Sequence, residues 1–346
     1  MLPLAEIAAL KATVAEDWTS VVADAVAAPW GLDPGAARWW RSSASHVFVV
    51  PRGRDERAPF YLRFAPARSG AGERLARGAA LHARLADAGI VAVPVVSAAG
   101  RMVETVTSPL GEMVVMAVTA VEGEELDVDD LGPARARAWG RALADFHAAS
   151  GPAPTPGDPV DPFADAASLV PADDRDLADA LRALRVAPPS SGGWVHGHGD
   201  FELDNLRWRG ESEEGPAVVA FDLDEAGVMP LAADIAAATR DLFADGTHDP
   251  RHPGMLAAFL DGYAERDGAR VAMPELVRAR TAGAAQSWAE LIVDLRLDAE
   301  EVVAQGLDDL RASLADYAER ARELVIDGAR RLEVTPRSAR ERSRAD

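Results

Sequence analysis

Apolar positions recur at helical spacing near the start of the chain. Leu4, Ile7, Leu10, Val14 and Trp18 mark one face, and the spacing predicts a helix over 4–27. The texture then changes. Val47, Phe48, Val49 and Val50 form one apolar run, and Phe60, Tyr61, Leu62 and Phe64 form another. Between them lies the polar stretch Pro51-Arg52-Gly53-Arg54-Asp55-Glu56, so residues 44–64 read as a β-hairpin. Leu75, Leu81 and Leu85 in an alanine-rich background predict a helix over 71–88, with Gly89 as its terminator. Residues 91–96, 102–106 and 113–118 are strand candidates. Ala136, Trp139, Leu143 and Phe146 predict a helix over 133–149, followed by a proline-rich loop over 151–162. A helix over 173–186 and a breaker over 188–193 come next, then two short apolar runs at 194–196 and 217–221. Beyond 230 the pattern is helical, over 231–243, 253–265, 274–296 and 299–325. The tail over 336–346 is polar and is expected to be disordered. The chain thus divides into a strand-rich front, 1–120, and a mainly helical back, 121–335, an α+β organisation.

Composition narrows the chemistry. The chain has 346 residues and no cysteine, which excludes disulfides, thiolate catalysis and cysteine-ligated metals. Its formal charge is −20, which weighs against nucleic acid and anionic membrane as partners and suits a cationic one. Lys11 is the single lysine, so a lysine-dependent mechanism has one candidate, in the first helical stretch. With neither a signal-peptide pattern nor an apolar stretch of spanning length, the expected location is cytoplasmic.

Residues 194–206, Trp-Val-His-Gly-His-Gly-Asp-Phe-Glu-Leu-Asp-Asn-Leu, are the densest mixture of polar and apolar groups. Residues 218–224, Val-Val-Ala-Phe-Asp-Leu-Asp, follow shortly after. Pairing the strands at 194–196 and 217–221 would bring Asp200 and Asp222 to one sheet edge. Asp200, Asn205 and Asp222 are hard oxygen donors, suited to Mg²⁺ rather than to zinc or copper. A carboxylate beside such a metal can accept a hydroxyl proton. On spacing alone a second reading stands equally: Asp200 and Asp204 as turn residues, Asn205 as a cap, Asp222 and Asp224 as strand-end acids.

The run His198-Gly199-Asp200, Asn205 five residues after the aspartate, and Phe221-Asp222 resemble the aminoglycoside phosphotransferase and choline kinase superfamily. Further similarity lies at Tyr61-Leu62-Arg63, Leu85–Ile90 into Val93-Pro94, Glu122-Gly123, Gly140–His147, Pro230, Asp234, Ile235 and Phe259–Tyr263. It spans roughly residues 40–265 in the family's order. The resemblance implies a bilobal protein-kinase-like fold, with an N-lobe at 1–120 and a C-lobe at 121–335. It also implies an ATP-dependent phosphotransferase acting on a hydroxyl of a small metabolite or antibiotic. Asp200 would be the catalytic acid that orients and deprotonates the acceptor, with His198 supporting its loop. Asn205 and Asp222 would hold Mg²⁺ against the ATP phosphates. Asp234 would be a structural acid. Met116 and Val118 would border the adenine pocket, with backbone groups of that strand making its hydrogen bonds.

The sequence departs from the family on the phosphate side. Arg63 stands where a lysine is usual, and a guanidinium fork is not a point charge. Gly78 stands where the N-lobe helix should carry a glutamate. Glu73, the nearest upstream acid, lies about 140° round the helix. The nucleotide-covering loop is Ser42-Ser43-Ala44-Ser45-His46, without glycine, leaving the Ser43 and Ser45 hydroxyls to meet phosphate. Glu202-Leu203 replace the usual His-Pro. Two alternatives stay open: a bacterial protein Ser/Thr kinase of the same fold, and a catalytically weak nucleotide-binding scaffold. The sequence leaves the acceptor and its phosphorylated position, the choice of ATP or GTP, and the oligomeric state undetermined.

Overall fold

The computed structural model describes residues 2–52, 58–156, 161–186, 193–210, 216–297 and 308–342, without the side chains of 186, 297 and 333–342. The fold is bilobal α+β, with a strand-rich N-lobe and a helical C-lobe, the architecture of protein kinases. The chain forms two compact units. The first takes in 1–126, 145–151 and 203–227; the second takes in 127–144, 152–202 and 228–346. The described helices include none long and apolar enough to cross a membrane.

The first unit is built on a five-stranded sheet of β1 (Arg38–Ser42), β2 (His46–Val50), β3 (Phe60–Pro66), β4 (Val103–Ser108) and β5 (Gly111–Thr119). Its order is β1-β2-β3-β5-β4. Each neighbouring pair is antiparallel. Strand alternation gives the sheet two apolar faces. Phe48, Phe60, Leu62, Phe64, Met113, Val115 and Ala117 pack with Leu10, Val22, Val26 and Trp30 on one side. Each buried Phe contributes roughly 1.5–3 kcal/mol. Met116 and Val118 face the other side, where they pack with Leu75 and Ala92. Leu75 belongs to α3 (Gly70–Asp87), whose N-cap Ser69 accepts from Gly72 N. Arg63 pairs with Met116 across the sheet and Tyr61 with Val118, so strand register alone puts Arg63 and both adenine-side candidates on one face.

Several predicted elements are corrected. The expected helix over 4–27 is two, α1 (Leu4–Lys11) and α2 (Val21–Ala27). Trp18 between them takes φ 66°, and Ser20 caps the second by accepting from Val22 N. Residues 91–96 form single bridges, Val91 to Ala220 and Pro94 to Val118, rather than a strand. Pro94 lacks the N–H that a ladder needs. β1 was not expected, because Trp39 and Trp40 break any one-sided pattern.

In the second unit, α4 (Pro133–Ser150, its last turn counted with the first unit) packs on α8 (Pro253–Asp267). Two glycines permit the approach. A Cβ on Gly140 would lie 2.0 Å from Phe259 O, and one on Gly262 would lie 2.0 Å from Arg137 O. Both glycines fall in stretches that carried the family resemblance, and backbone proximity explains them. A further core joins α5 (Pro162–Leu169), α6 (Arg175–Val186), α9 (Met273–Leu297) and α10 (Asp308–Arg342). Phe163, Leu177, Leu181, Trp288 and Val325 fill it, so Trp288 is a core residue. The proline-rich loop ends in α5, with Asp161 as N-cap and Pro162 in the first turn. The helix expected over 231–243 is α7 (Leu231–Ala238) and a 3₁₀ turn (Arg240–Leu242). Thr239 Oγ1 bonds back to Ile235 O where they part. The backbone of α10 continues to Arg342, past Pro336, where the sequence reading expects disorder.

Candidate active site

The apolar runs at 194–196 and 217–221 do not pair with each other. β6 (Trp194–Gly197) pairs with β9 (Gly227–Pro230), and β8 (Ala217–Ala220) pairs with β7 (Leu206–Arg209). The β7/β8 register sets Leu206 opposite Ala220. At the next position Phe221 N donates to Asn205 O at 3.0 Å. This hairpin therefore brings Asn205 beside Phe221-Asp222, both in the first unit. Asn205 is buried, at 5% exposure.

Asp222 leaves β8 in the left-handed region, φ 66° and ψ 66°. A non-glycine residue there stores roughly 1–3 kcal/mol. Arginines hold it in place. Arg63 Nη2 binds Asp222 Oδ1 and lies 2.6 Å from Asp224 Oδ2. Arg41 Nη2 binds Asp222 Oδ2. Arg74, on α3, donates from Nε to Asp224 O at 3.2 Å. Burial by itself lowers the Arg63 pKa, but Asp222 and Asp224 outweigh it and hold the guanidinium above its ordinary value. Arg63, Arg74, Asp222 and Asp224, with Leu75, Gly78, His82, Ala92, Met116, Val118 and Leu223, line a cavity of about 20 Å³. That space suits one water molecule.

In the second unit, α7 anchors the His198–Asp200 turn. Buried Asp234 accepts from His198 N at 3.0 Å and from Gly199 N at 2.7 Å. Gly197 makes room for it, since a Cβ there would lie 2.8 Å from the Asp234 carboxyl. His198 is fully buried, and its Nδ1 accepts from Asp200 N at 3.2 Å, which sets a supporting position for the ring. Trp139 Nε1 donates to Phe201 O at 2.9 Å. Arg240 then spans two carboxylates, Nη2 to Asp200 and Nε to Glu202. Burial raises the Glu202 pKa to about 7 against the pull of Arg240.

The remaining sequence expectations are placed as follows. Ser42, Ser43, Ala44 and Ser45 make the tight turn between β1 and β2. Ser45 is buried and its Oγ lies 3.5 Å from Arg63 Nη2. Ser43 is turned into backbone bonding, its N–H to Ser45 O and its O to Leu2 N. Met116 and Val118 line the cavity, but nearby backbone groups are taken: Ala117 O accepts from Val95 N, and Thr119 N donates to Val93 O. A Cβ at Gly78 would meet nothing within 4 Å. Glu73 is exposed, and exposed Lys11 ends α1. Sequence reasoning missed Arg41, Arg74 and Arg240. Their only signal is a guanidinium in a chain where arginine supplies nearly all positive charge.

Among the described residues, no three His, Cys, Asp or Glu side chains form a cluster able to hold a metal alone. Asn205 and Asp222 carry hard oxygen donors of the type Mg²⁺ takes, one or two from protein with phosphate and water completing the shell, and in this structure the Asp222 oxygens are bound by Arg41 and Arg63.

The phosphotransferase enzyme family model matches residues 41–274, and the chain belongs to that family. It is a phosphotransferase enzyme by that membership. Solved structures agree on the fold. An amicoumacin kinase in complex with AMP-PNP, Ca²⁺ and Ami is similar at TM-score 0.62 and 16% identity, covering 87% of this chain and 91% of that one. A microcompartment-associated aminopropanol kinase is similar at TM-score 0.60 and 18% identity, covering 89% and 95%. A spectinomycin phosphotransferase in complex with ADP and spectinomycin gives 0.56 and 14%, covering 88% and 96%. A comparison with curated proteins finds no match.

Proposed function

We propose that the chain is an ATP- and Mg²⁺-dependent kinase of a small hydroxylated acceptor that carries an amine. Family membership across the segment that contains Asp200, Asn205 and Asp222 carries this reading. MgATP supplies the phosphoryl group and neutralises its charge as it moves. Asp200 orients the acceptor hydroxyl and takes its proton. His198 and Asp234 hold the Asp200 turn. Asn205 and Asp222 hold the metal. Arg63, with Ser43 and Ser45 before it, belongs to the phosphate side, and Met116 and Val118 to the adenine side. In this reading residues 1–120 are the nucleotide lobe and 121–335 the catalytic and acceptor lobe.

Two observations favour an amine-bearing acceptor. The chain carries a charge of −20, and one structural relative is by its name a kinase of an amino alcohol. Neither nucleic acid nor membrane is part of the reading. A source of ATP places it in the cytoplasm.

Titration calorimetry with AMP-PNP, with and without Mg²⁺, tests the nucleotide half. Mg²⁺-dependent binding that weakens in Asp222→Ala is expected. A panel of amino alcohols and aminoglycosides with labelled ATP tests transfer, and Asp200→Ala should lower it about 10²–10⁴-fold. Nucleotide binding without transfer to any acceptor would favour the scaffold, a reading that the Gly78 departure supports.

A further inference from the structure

Both carboxylate oxygens of Asp222 are occupied by arginine, Oδ1 by Arg63 and Oδ2 by Arg41. The two partners differ in burial. The Arg63 side chain is 9% exposed and that of Arg41 46%. Removing the buried partner would leave a desolvated acid uncompensated. Releasing the half-exposed one costs less, since its guanidinium already faces water. Arg41 is therefore the exchangeable half of the clamp. It also sits near the end of β1, next to the Ser42–Ser45 turn. The second acid, Asp224, keeps its own contact with Arg63, so moving Arg41 leaves one guanidinium shared by both acids.

We propose that Arg41 is a phosphate-binding residue that rests on Asp222 until metal and nucleotide arrive, then moves to the nucleotide's outer phosphates. This deepens the kinase reading above and rests on it. Arg41 and Arg63 balance the charges of Asp222 and Asp224. A divalent cation on Asp222 repels the Arg41 guanidinium. The metal–triphosphate complex is net negative and offers paired oxygens that suit a guanidinium fork. The same arginine thus has a carboxylate before loading and phosphate oxygens after it. Arg74 is not equivalent, because it is anchored on the Asp224 carbonyl and lies 3.8 Å from Glu225.

The test is equilibrium binding, independent of turnover. Mg²⁺ with AMP-PNP, ADP and AMP is titrated into wild type and Arg41→Ala, with thermal melting to show that both are folded. Arg41→Ala should bind AMP-PNP about tenfold more weakly, ~1.4 kcal/mol, and AMP as wild type does. A second measurement omits the metal. Asp222→Ala releases Arg41, so it should bind metal-free AMP-PNP more tightly than wild type. The double variant with Arg41→Ala should lose that gain. Equal AMP-PNP affinity in wild type and Arg41→Ala, or equal weakening for all three nucleotides, would overturn the phosphate role and leave the kinase reading intact. Failure of wild type to bind any of the three would overturn the kinase reading, and this proposal with it.

Discussion

Each unit contains the same small device. In the first, Arg63 spans Asp222 and Asp224; in the second, Arg240 spans Asp200 and Glu202. In both, the acids are two positions apart with an apolar residue between them, Leu223 in one and Phe201 in the other. The devices differ in solvent access: Arg63 is 9% exposed and Arg240 48%. Burial makes Arg63 a structural tie, because its loss strands two acids away from water. Exposure makes Arg240 a replaceable partner whose acids can turn to another cation. One arrangement of charges thus serves two purposes, and the surrounding apolar packing decides which.

The largest effect should come from breaking the buried device. Arg63→Ala should cost about 3–5 kcal/mol of stability, read from urea denaturation. Arg63→Lys should recover only part, because a point charge cannot span both carboxylates. Next come two pH responses of opposite sign. Burial lowers the His46 pKa in the first unit from 6.5 to about 4. Between those values the unfolded chain binds more protons. The contribution is therefore full above pH 6.5 and falls by up to about 3 kcal/mol as pH drops toward 4. His46→Gln should flatten that slope. Glu202 in the second unit runs the other way. Its folded pKa of about 7 lies above the ordinary 4.5, so its contribution is full below 4.5 and declines as pH rises through 7. Denaturation of Glu202→Gln at pH 5 and 7.5 should show the wild-type decline removed. Arg240→Ala should cost less than Arg63→Ala, because its guanidinium is 48% exposed although Asp200 and Glu202 are 27% and 16% exposed. If it instead matched Arg63→Ala, exposure would not be what separates the two devices.

Asp200, Asn205, Asp222 and Asp234 were singled out by the family resemblance, since spacing alone left the first three equally readable as turn, cap and strand-end residues. Arg63 was singled out by the same resemblance, and the β3/β5 register then gives its face. The arginines that complete each device were not. Arg41, Arg74 and Arg240 reach the Asp222 carboxylate, the Asp224 carbonyl and the Asp200 carboxylate across 181, 150 and 40 residues, and chain patterns carry no record of such separations. The strand pairing also failed at long range. Only β6 and β8 were read as apolar runs; their true partners, β9 (Gly-Val-Met-Pro) and β7 (Leu-Arg-Trp-Arg), carry no such run. The β1 strand hid because its two tryptophans leave both faces partly open. Conversely, Gly140 and Gly262 were visible as motif letters, but only their carbonyl neighbours show why a side chain is excluded there.

The composition of the first unit has a consequence for synthesis. Its sheet is complete by Thr119, but its last segment, 203–227, emerges only when about two-thirds of the 346 residues have been made. Arg63 is joined to Asp222 across 159 residues. At ribosomal rates of roughly 5–20 residues per second, that gap lasts on the order of ten seconds or more. Throughout it the newborn N-lobe holds an arginine whose acids do not yet exist. The first unit's buried arginine thus meets its acids only after residues 222–224 have been made.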